Sequence, residues 1–254
     1  MSRPVITVRI HAGSNAGTFL AGLLALTASP LLTPEELLAA RLPNLAGVKL
    51  SLVPTSVNDI SGWSVRFDAP HEHVHRHVSD IAAIYEASAM SEAARSLAMS
   101  AWSRIAQAEA AVHGESLESV HFHEVGRLAN IVSIGLAAEL LCAMNPEKIV
   151  ASPIPLGDGT VLCAHGAVPN PAPSTFAMLD GVPVRAFLGE GEAITPTGLG
   201  ALLGFGATFG PWPQMTVKRH ATVFLPNKVF AGVPNGSLFA LGEPFTESKN
   251  HDTQ

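Results

Sequence analysis

The sequence has few cysteines, few aromatic residues and few charges. Its 254 residues include only two cysteines, Cys142 and Cys163, which excludes a disulfide framework and favours a reducing, cytoplasmic environment. Aromatic residues make up 6% and charged residues 14%, whereas hydrophobic residues reach 47%, which excludes a disordered chain or a coiled coil. Lysine and arginine form no block, so we expect no nucleic-acid interface.

The sequence also lacks an apolar run long enough to cross a bilayer. The apolar segment at residues 19–26 follows Arg3 and Arg9, as a signal peptide would, but it is too short for a membrane span. A small-residue cleavage site does not follow it. We therefore expect a buried helix at this position, and no membrane partner.

The pattern of elements favours an α/β (α+β mixed) fold in which a mixed β-sheet is flanked by helices. Residues 5–10 are β-branched and alternate as in a strand, and 49–53 and 63–67 predict two strands around turn signals at 58–59 and 61–62. Helices are predicted from Pro34, between Ser91 and Gly114, over residues 128–144 and from Thr195. Strands and helices alternate too unevenly for a barrel.

The same pattern suggests how the chain is divided. We expect one domain over residues 5–220, which carries a His-rich insert at 71–77. Terminal strands would follow at 221–246, and residues 247–254 would form a flexible tail.

The densest group of candidate ligands is the segment HEHVHRH at residues 71–77. In an extended chain, alternate side chains point the same way, so four imidazoles would share one face. They belong to His71, His73, His75 and His77. Imidazole nitrogen binds nickel, zinc and copper, which makes this segment a candidate metal site. A solvated His-rich loop without a ligand is the alternative.

A second group of candidate ligands is HFHEVG at residues 121–126. Alternation would place His121 and His123 on one face of a strand and Glu124 on the other. Such a histidine pair can bind a metal or carry out acid–base chemistry near neutral pH. We take all three as candidate catalytic residues, although two structural histidines before a helix would explain the pattern equally well.

Two turns ahead of predicted helices are candidate anion sites. Gly13, Ser14 and Thr18 lie in a glycine-rich turn between a strand and a helix, where backbone N–H groups favour a phosphate. Thr195 and Thr197 flank a proline at the start of another helix. Neither turn has the sequence of a known nucleotide-binding loop, and ordinary turns and caps are the alternative.

Cys163 and His165 form a further candidate pair. A thiol beside an imidazole can bind a soft metal, or act as a nucleophile with its base in a hydrolase or transferase. A buried cysteine next to a capping histidine is the alternative.

Seven strings, in this order, resemble the LarC family of nickel insertion proteins. They are HEHVHRH at 71–77, AEAAVHG at 108–114, HFHEVG at 121–126, SPIPLG at 152–157, CAHGAVPNPAPST at 163–175, ITPTG at 194–198 and FGPWPQM at 209–215. The family inserts nickel into pyridinium-3,5-bisthiocarboxylic acid mononucleotide in a CTP-dependent cyclometallation, a lyase-class reaction that forms the pincer cofactor of lactate racemase.

The resemblance implies a nickel-binding module that takes a nucleotide cofactor precursor and assembles as a homo- or hetero-oligomer. The histidines of the insert would collect nickel, and His121 and His123 would present it or remove a ring proton, with His165 as a further ligand. Gly13, Ser14 and Thr18 would hold the 5′-phosphate. CTP and Mg would enter only through a missing partner domain.

Four positions depart from the family pattern. Arg9, Gly17, Ala129 and Ser133 stand where the family has aspartate. A catalytically inactive relative that serves as a scaffold or partner subunit of an enzyme assembly is therefore a second hypothesis. The nickel hypothesis requires the two histidine segments to converge on one pocket.

Overall fold

The computed structural model describes residues 2–27, 32–70, 72, 75–163, 165–226, 228, 230, 233 and 235–245. Two of the predicted metal ligands, His71 and His73, lie outside the described residues, as does the tail predicted at 247–254. The other predicted site residues all fall within them.

A mixed β-sheet forms the centre of the fold. The described strands are β1 (Val5–Ala12), β2 (Lys49–Val57), β3 (Ile60–Asp68), β4 (Arg76–His77), β5 (His121–Phe122), β6 (Lys148–Ala151), β7 (Ile154–Leu156), β8 (Thr160–Cys163), β9 (Gly166–Pro169), β10 (Val184–Ala186), β11 (Thr208–Phe209), β12 (Met215–Val223) and β13 (Gly236–Pro244). Seven of them form one sheet in the order β11-β6-β1-β13-β12-β3-β2, with β1 parallel to β6 and antiparallel to β13. Residue 220, where the sequence suggested a boundary, lies inside β12.

Helices pack against this sheet, as an α/β fold requires. They are α1 (Ala16–Leu26), α2 (Pro34–Arg41), α3 (Val78–Glu86), α4 (Glu92–His113), α5 (Leu128–Met144), α6 (Pro173–Ala177) and α7 (Pro196–Gly204). Ser91 caps the N-terminus of α4, and Gly114 ends that helix at a φ of 66°, which glycine adopts without strain. The predicted fold class and the predicted helices over 128–144 and from Pro34 are confirmed.

The hairpin between β2 and β3 corrects one detail of the predicted secondary structure. The turn is formed by Asn58 and Asp59, both with positive φ, as in the turns that match the twist of paired strands. Residues 61–62, also read as a turn signal, lie inside β3. Glycine in a strand often marks a close approach, and a Cβ at Gly62 would lie 2.5 Å from the carbonyl oxygen of Thr222.

The apolar segment at 19–26 forms most of α1 and is buried, as predicted. The Phe19 ring packs against Phe239 of β13 and Phe205, with ring centroids 5.7 and 5.4 Å apart. Deeper in the helical layer, Trp102 donates to the hydroxyl oxygen of Tyr85, which in turn donates to a carbonyl of α5. Across the described part of the chain, none of the helices combines the length and apolar character needed to cross a membrane.

Two glycines of α7 allow it to approach α4 closely. A Cβ on Gly204 would overlap the backbone of Ala101, and one on Gly200 would overlap the side chain of Ile105. The N-terminus of α7 also packs against the β1–α1 turn, because a Cβ on Gly198 would lie 2.7 Å from the carbonyl oxygen of Ser14. These contacts fix the position of the turn that begins α7.

Candidate metal centre

Two short strands bring the two histidine segments together. β4 pairs antiparallel with β5, so that His77 lies opposite His121. Phe122 is buried against Trp102, with ring centroids 5.5 Å apart. Since neighbouring side chains in an extended segment point to opposite sides, His121 and His123 face away from this core.

Three imidazoles meet where the strands pair. The nitrogen ligand atoms of His75, His121 and His123 all lie within 4.8 Å of one another. Two nitrogens bound to one tetrahedral ion lie about 3.4 Å apart, so small side-chain rotations would place the three around a single ion. His75 is exposed and the other two rings are half-buried, which leaves the group accessible from solvent.

His77 lies beside this group without joining it. Its ring centroid is 6.2 Å from that of His121, and its Nδ1 lies 3.0 Å from the carbonyl oxygen of Val120. That contact requires Nδ1 to donate, which leaves the lone pair on Nε2. The structure therefore places this predicted ligand next to the three-histidine group, where its Nε2 could bind an ion adjacent to that group.

Glu72 and Arg76 hold the described part of the His-rich segment against α5. Glu72 accepts hydrogen bonds from the Leu128 amide at 2.8 Å and from Arg76 at 2.6 Å, and Arg76 also donates to the carbonyl oxygen of Gly126. Burial alone would raise the pKa of the Glu72 carboxyl, but these hydrogen bonds outweigh it and lower that pKa. The carboxylate is therefore ionised at neutral pH and ties Arg76 to the start of α5.

His123 is well suited to bind a metal at neutral pH. Its partial burial lowers its pKa, and the neighbouring imidazoles of His121, His75, His165 and His113 lower it further. Only a neutral imidazole has a lone pair for a metal, so a lowered pKa keeps this ligand available below neutral pH.

His123 also lines a cavity of about 460 Å³ next to the metal centre. Glu124 lines it too; its half-exposed carboxylate lies 3.9 Å from Arg127. Cys163 and His165 contribute from the β8–β9 hairpin, and apolar side chains cover much of the remaining wall. Mostly apolar walls with a few convergent polar groups are typical of a small-molecule site.

The two candidate anion turns differ in their relation to this cavity. Thr195 and Thr197 line it, with their hydroxyl oxygens 3.0 Å apart, and Asn15 lines it from the start of α1. Gly13, Ser14 and Thr18 are not among its lining residues.

The structure places Thr18, one of the three predicted phosphate-binding residues, in the N-terminal capping box of α1. The side chain is buried, donates to the carbonyl oxygen of Asn15 and accepts from the Asn15 amide as part of a capping box. Ser14 is buried as well, and its backbone bonds to Ala193 and Thr195. Both residues build the turn and leave the cavity wall to Asn15.

Sequence reasoning missed three titratable residues of the cavity. Glu109 and His113 lie one turn apart at the end of α4, with Oε2 and Nε2 3.5 Å apart, and Glu192 precedes the turn that begins α7. The i,i+4 spacing of an acid and a histidine was the only local signal for the first two. No feature of the neighbouring sequence distinguishes Glu192 from an exposed glutamate.

Glu192 is a buried carboxyl that lacks a full set of partners. Its Oε1 is buried and makes no hydrogen bond within the described part of the chain. Burial raises the pKa of Glu192 to about 7; Lys228 opposes this shift and Glu124 adds to it. Folding therefore favours the protonated form of this residue.

This raised pKa predicts a pH-dependent effect of Glu192→Gln on stability. The contribution of a carboxyl whose pKa rises on folding is complete below its unfolded pKa and is lost as the pH rises towards 7. At pH 8 the variant should have a free energy of unfolding about 2–3 kcal/mol above that of the unaltered chain, and at pH 4.5 the two should be equal. Urea denaturation at both pH values measures this.

The matched control is Glu190→Gln, at an exposed position two residues before Glu192. It should change stability little at either pH. An equal effect of Glu192→Gln at both pH values would show that the carboxyl does not carry a raised pKa.

Three of the four positions where aspartate was expected lie together. A Cβ on Gly17 would lie 3.8 Å from the hydroxyl oxygen of Ser133, which donates to the carbonyl oxygen of Ala129 at 2.6 Å. This contact between α1 and α5 is therefore built from neutral residues. The fourth, Arg9, donates to the carbonyl oxygens of Val150 in β6 and of Gly210, the residue after β11.

Comparisons with known proteins point to one family. The sequence model of the family described as "Nickel insertion protein" matches residues 6–248. A protein of Citrifermentans bemidjiense named "Putative nickel insertion protein" is 39% identical over 221 residues, which is 86% of this chain and 57% of that protein. No solved structure matches the chain.

A second relative carries a more specific name. The "Pyridinium-3,5-bisthiocarboxylic acid mononucleotide nickel insertion protein" of Desulfitobacterium hafniense is 42% identical over 160 residues, 63% of this chain and 40% of that protein. The chain thus spans about half the length of the curated relatives it matches. Because the family model covers nearly the whole sequence, this chain belongs to the nickel insertion protein family.

Proposed function

We propose that this chain binds Ni²⁺ between His75, His121 and His123 and transfers it to a pyridinium-3,5-bisthiocarboxylic acid mononucleotide held in the adjacent cavity. The observation that carries the proposal is the convergence of three imidazoles from two distant segments, with His123 facing the cavity as well. Nickel is the substrate here, and it passes from nitrogen ligands to sulfur.

The chemistry of the ligands supports this direction of transfer. Imidazole binds Ni²⁺ well but is neutral, whereas the sulfur atoms of a thiocarboxylate are soft and anionic. An ion held by three imidazoles, one of them exposed, can exchange ligands one at a time without entering water as a free ion. His121 and His123 are the candidate bases for the ring proton, and Glu124, which lines the cavity with His123, is a candidate acid.

The cavity also supports a nucleotide as the acceptor. The N-terminus of α7 reaches the wall through Thr195 and Thr197, whose hydroxyl groups can donate to a phosphate. Apolar side chains such as Val125 and Val168 line the same space and suit an aromatic ring. We therefore propose the start of α7 as the phosphate position, in place of the turn that holds Gly13, Ser14 and Thr18.

We assign the CTP-dependent step, with its Mg, to a separate partner domain. Magnesium with a nucleotide is held by oxygen ligands, mostly carboxylates and phosphates. The contact of α1 with α5 has Gly17, Ala129 and Ser133 where the family pattern has acids, and so offers no carboxylate there. An oligomer that includes the partner would complete the reaction.

Nickel titration of the tag-free chain by calorimetry tests the proposal. Calorimetry should detect Ni²⁺ binding to the chain at neutral pH, and binding should weaken in acid because protons compete with the metal for imidazole nitrogen. Adding the bisthiocarboxylate nucleotide to the nickel-loaded chain should then move nickel into the small-molecule fraction. A chain that binds no nickel would contradict the proposal.

The neutral contact between α1 and α5 favours one second candidate, a catalytically inactive scaffold or partner subunit. Such a protein would keep the fold but need not deliver the ion. Nickel that stays bound to the chain in the presence of the nucleotide and of a CTP-dependent partner would favour this candidate over the insertion module.

A further inference from the structure

A second group of metal-ligand side chains lies on the cavity wall, next to the three-histidine group but distinct from it. Cys163 Sγ lies 3.8 Å from Nδ1 of His165, across the turn of the β8–β9 hairpin. The His165 ring centroid is 5.0 Å from that of His113, at the end of α4. Cys163 and His165 belong to the β8–β9 hairpin and His113 to α4, whereas the three-histidine group is built around β4 and β5.

The Cys163–His165 pair fits a shared ion, and a side-chain rotation would bring His113 to it as the third ligand. A sulfur and a nitrogen bound to one tetrahedral ion lie about 3.5 Å apart, close to the separation of Cys163 Sγ and His165 Nδ1. His113 Nε2 faces the buried carboxylate of Glu109 at 3.5 Å, which leaves its Nδ1 to bind the metal. Metal-binding histidines commonly donate their other nitrogen to a carboxylate in this way.

We propose that Cys163, His165 and His113 form a second position for a borderline-soft divalent ion such as Ni²⁺, with Glu109 orienting His113. Binding replaces the thiol proton of Cys163 with the metal, and the proton passes to solvent; no electron is transferred. The mixed sulfur and nitrogen ligands resemble the sulfur environment of the acceptor more closely than three imidazoles do.

His123 connects the two positions. Its ring centroid is 5.0 Å from that of His75 and 5.4 Å from that of His165. An ion can therefore leave the first group, while still bound to His123, for the second position inside the cavity. This relay rests on the proposed function, whereas the second position itself does not.

Thiolate binding gives a signal that histidine binding cannot produce. Titration of the tag-free 254-residue chain with Ni²⁺ should give a sulfur-to-nickel charge-transfer band in the near ultraviolet. Cys163→Ser should abolish the band and reduce the bound nickel, measured by equilibrium dialysis, by one ion per chain. Cys142→Ser removes the other cysteine of the chain and should leave the band unchanged.

Two further variants separate the second position from the first. His113→Ala should lower the nickel affinity of the absorbing position by about 10–100-fold, and His121→Ala should remove one bound ion but keep the band. A chain that fills the three-histidine group without a band, or a band that survives Cys163→Ser, would overturn the second position while the proposed function stands. A charge-transfer band without any bound ion that depends on His121 would support the second position and overturn the proposed function.

Discussion

His121→Ala should lower the nickel affinity of the three-histidine group by at least about 100-fold. The substitution removes one of three converging nitrogens, and the loss of even an outer partner of a metal ligand commonly costs 10–100-fold in affinity. Measured by calorimetry in a Cys163→Ser chain, the result reports on this group without the second position. The fold should be retained, since the His121 side chain is only half-buried.

The matched control for this prediction is His220→Ala. His220 is exposed on β12, in a strand that contributes nothing to the metal centre, and its loss should change nickel affinity by less than about twofold. Equal losses in both variants would show that nickel binds to scattered surface histidines. The convergence of His75, His121 and His123 would then have no functional consequence.

Gly204→Ala should lower the free energy of unfolding by about 3 kcal/mol. The new methyl group would overlap the backbone of Ala101 in α4, which cannot move aside as a flexible side chain could. Helix propensity by itself would favour alanine over glycine by about 1 kcal/mol, so the packing conflict must outweigh that gain. Thermal unfolding followed by circular dichroism measures the effect.

Gly210→Ala is the control for this loss of stability. A Cβ on Gly210 meets nothing within 4 Å, and its φ is not positive, so its substitution should leave stability almost unchanged. A stable Gly204→Ala chain would mean that α7 can move away from α4. In that case the start of α7, and with it Thr195 and Thr197, would not be fixed at the cavity wall.

Most of the fold could be predicted because its signals are local. α5 has the predicted bounds, Leu128–Met144, because the apolar run stops before Pro146 and Asn145 ends the helix in the left-handed region. Ser91 and Gly114 mark the two ends of α4 for the same kind of reason. In each case a residue type with a known backbone preference lies where the helical sequence pattern begins or ends.

The geometry of the site could be predicted only in part, because it depends on tertiary contacts. HFHEVG indicated His121 and His123 directly, but two-residue strands such as β4 and β5 give no periodic pattern, so their pairing could only be postulated. His113 reaches His165 only because α4 and the β8–β9 hairpin meet in space. The role of Thr18 could not be fixed from the sequence, because a capping threonine and a phosphate-binding threonine occupy the same sequence position.

The most direct test of the central claim is anomalous diffraction at the nickel absorption edge from crystals of the nickel-loaded chain. We expect a peak within bonding distance of nitrogens from His75, His121 and His123, about 2 Å from each. A nickel peak bound by other side chains, with these three rings left unbound and hydrogen-bonded to solvent, would contradict it.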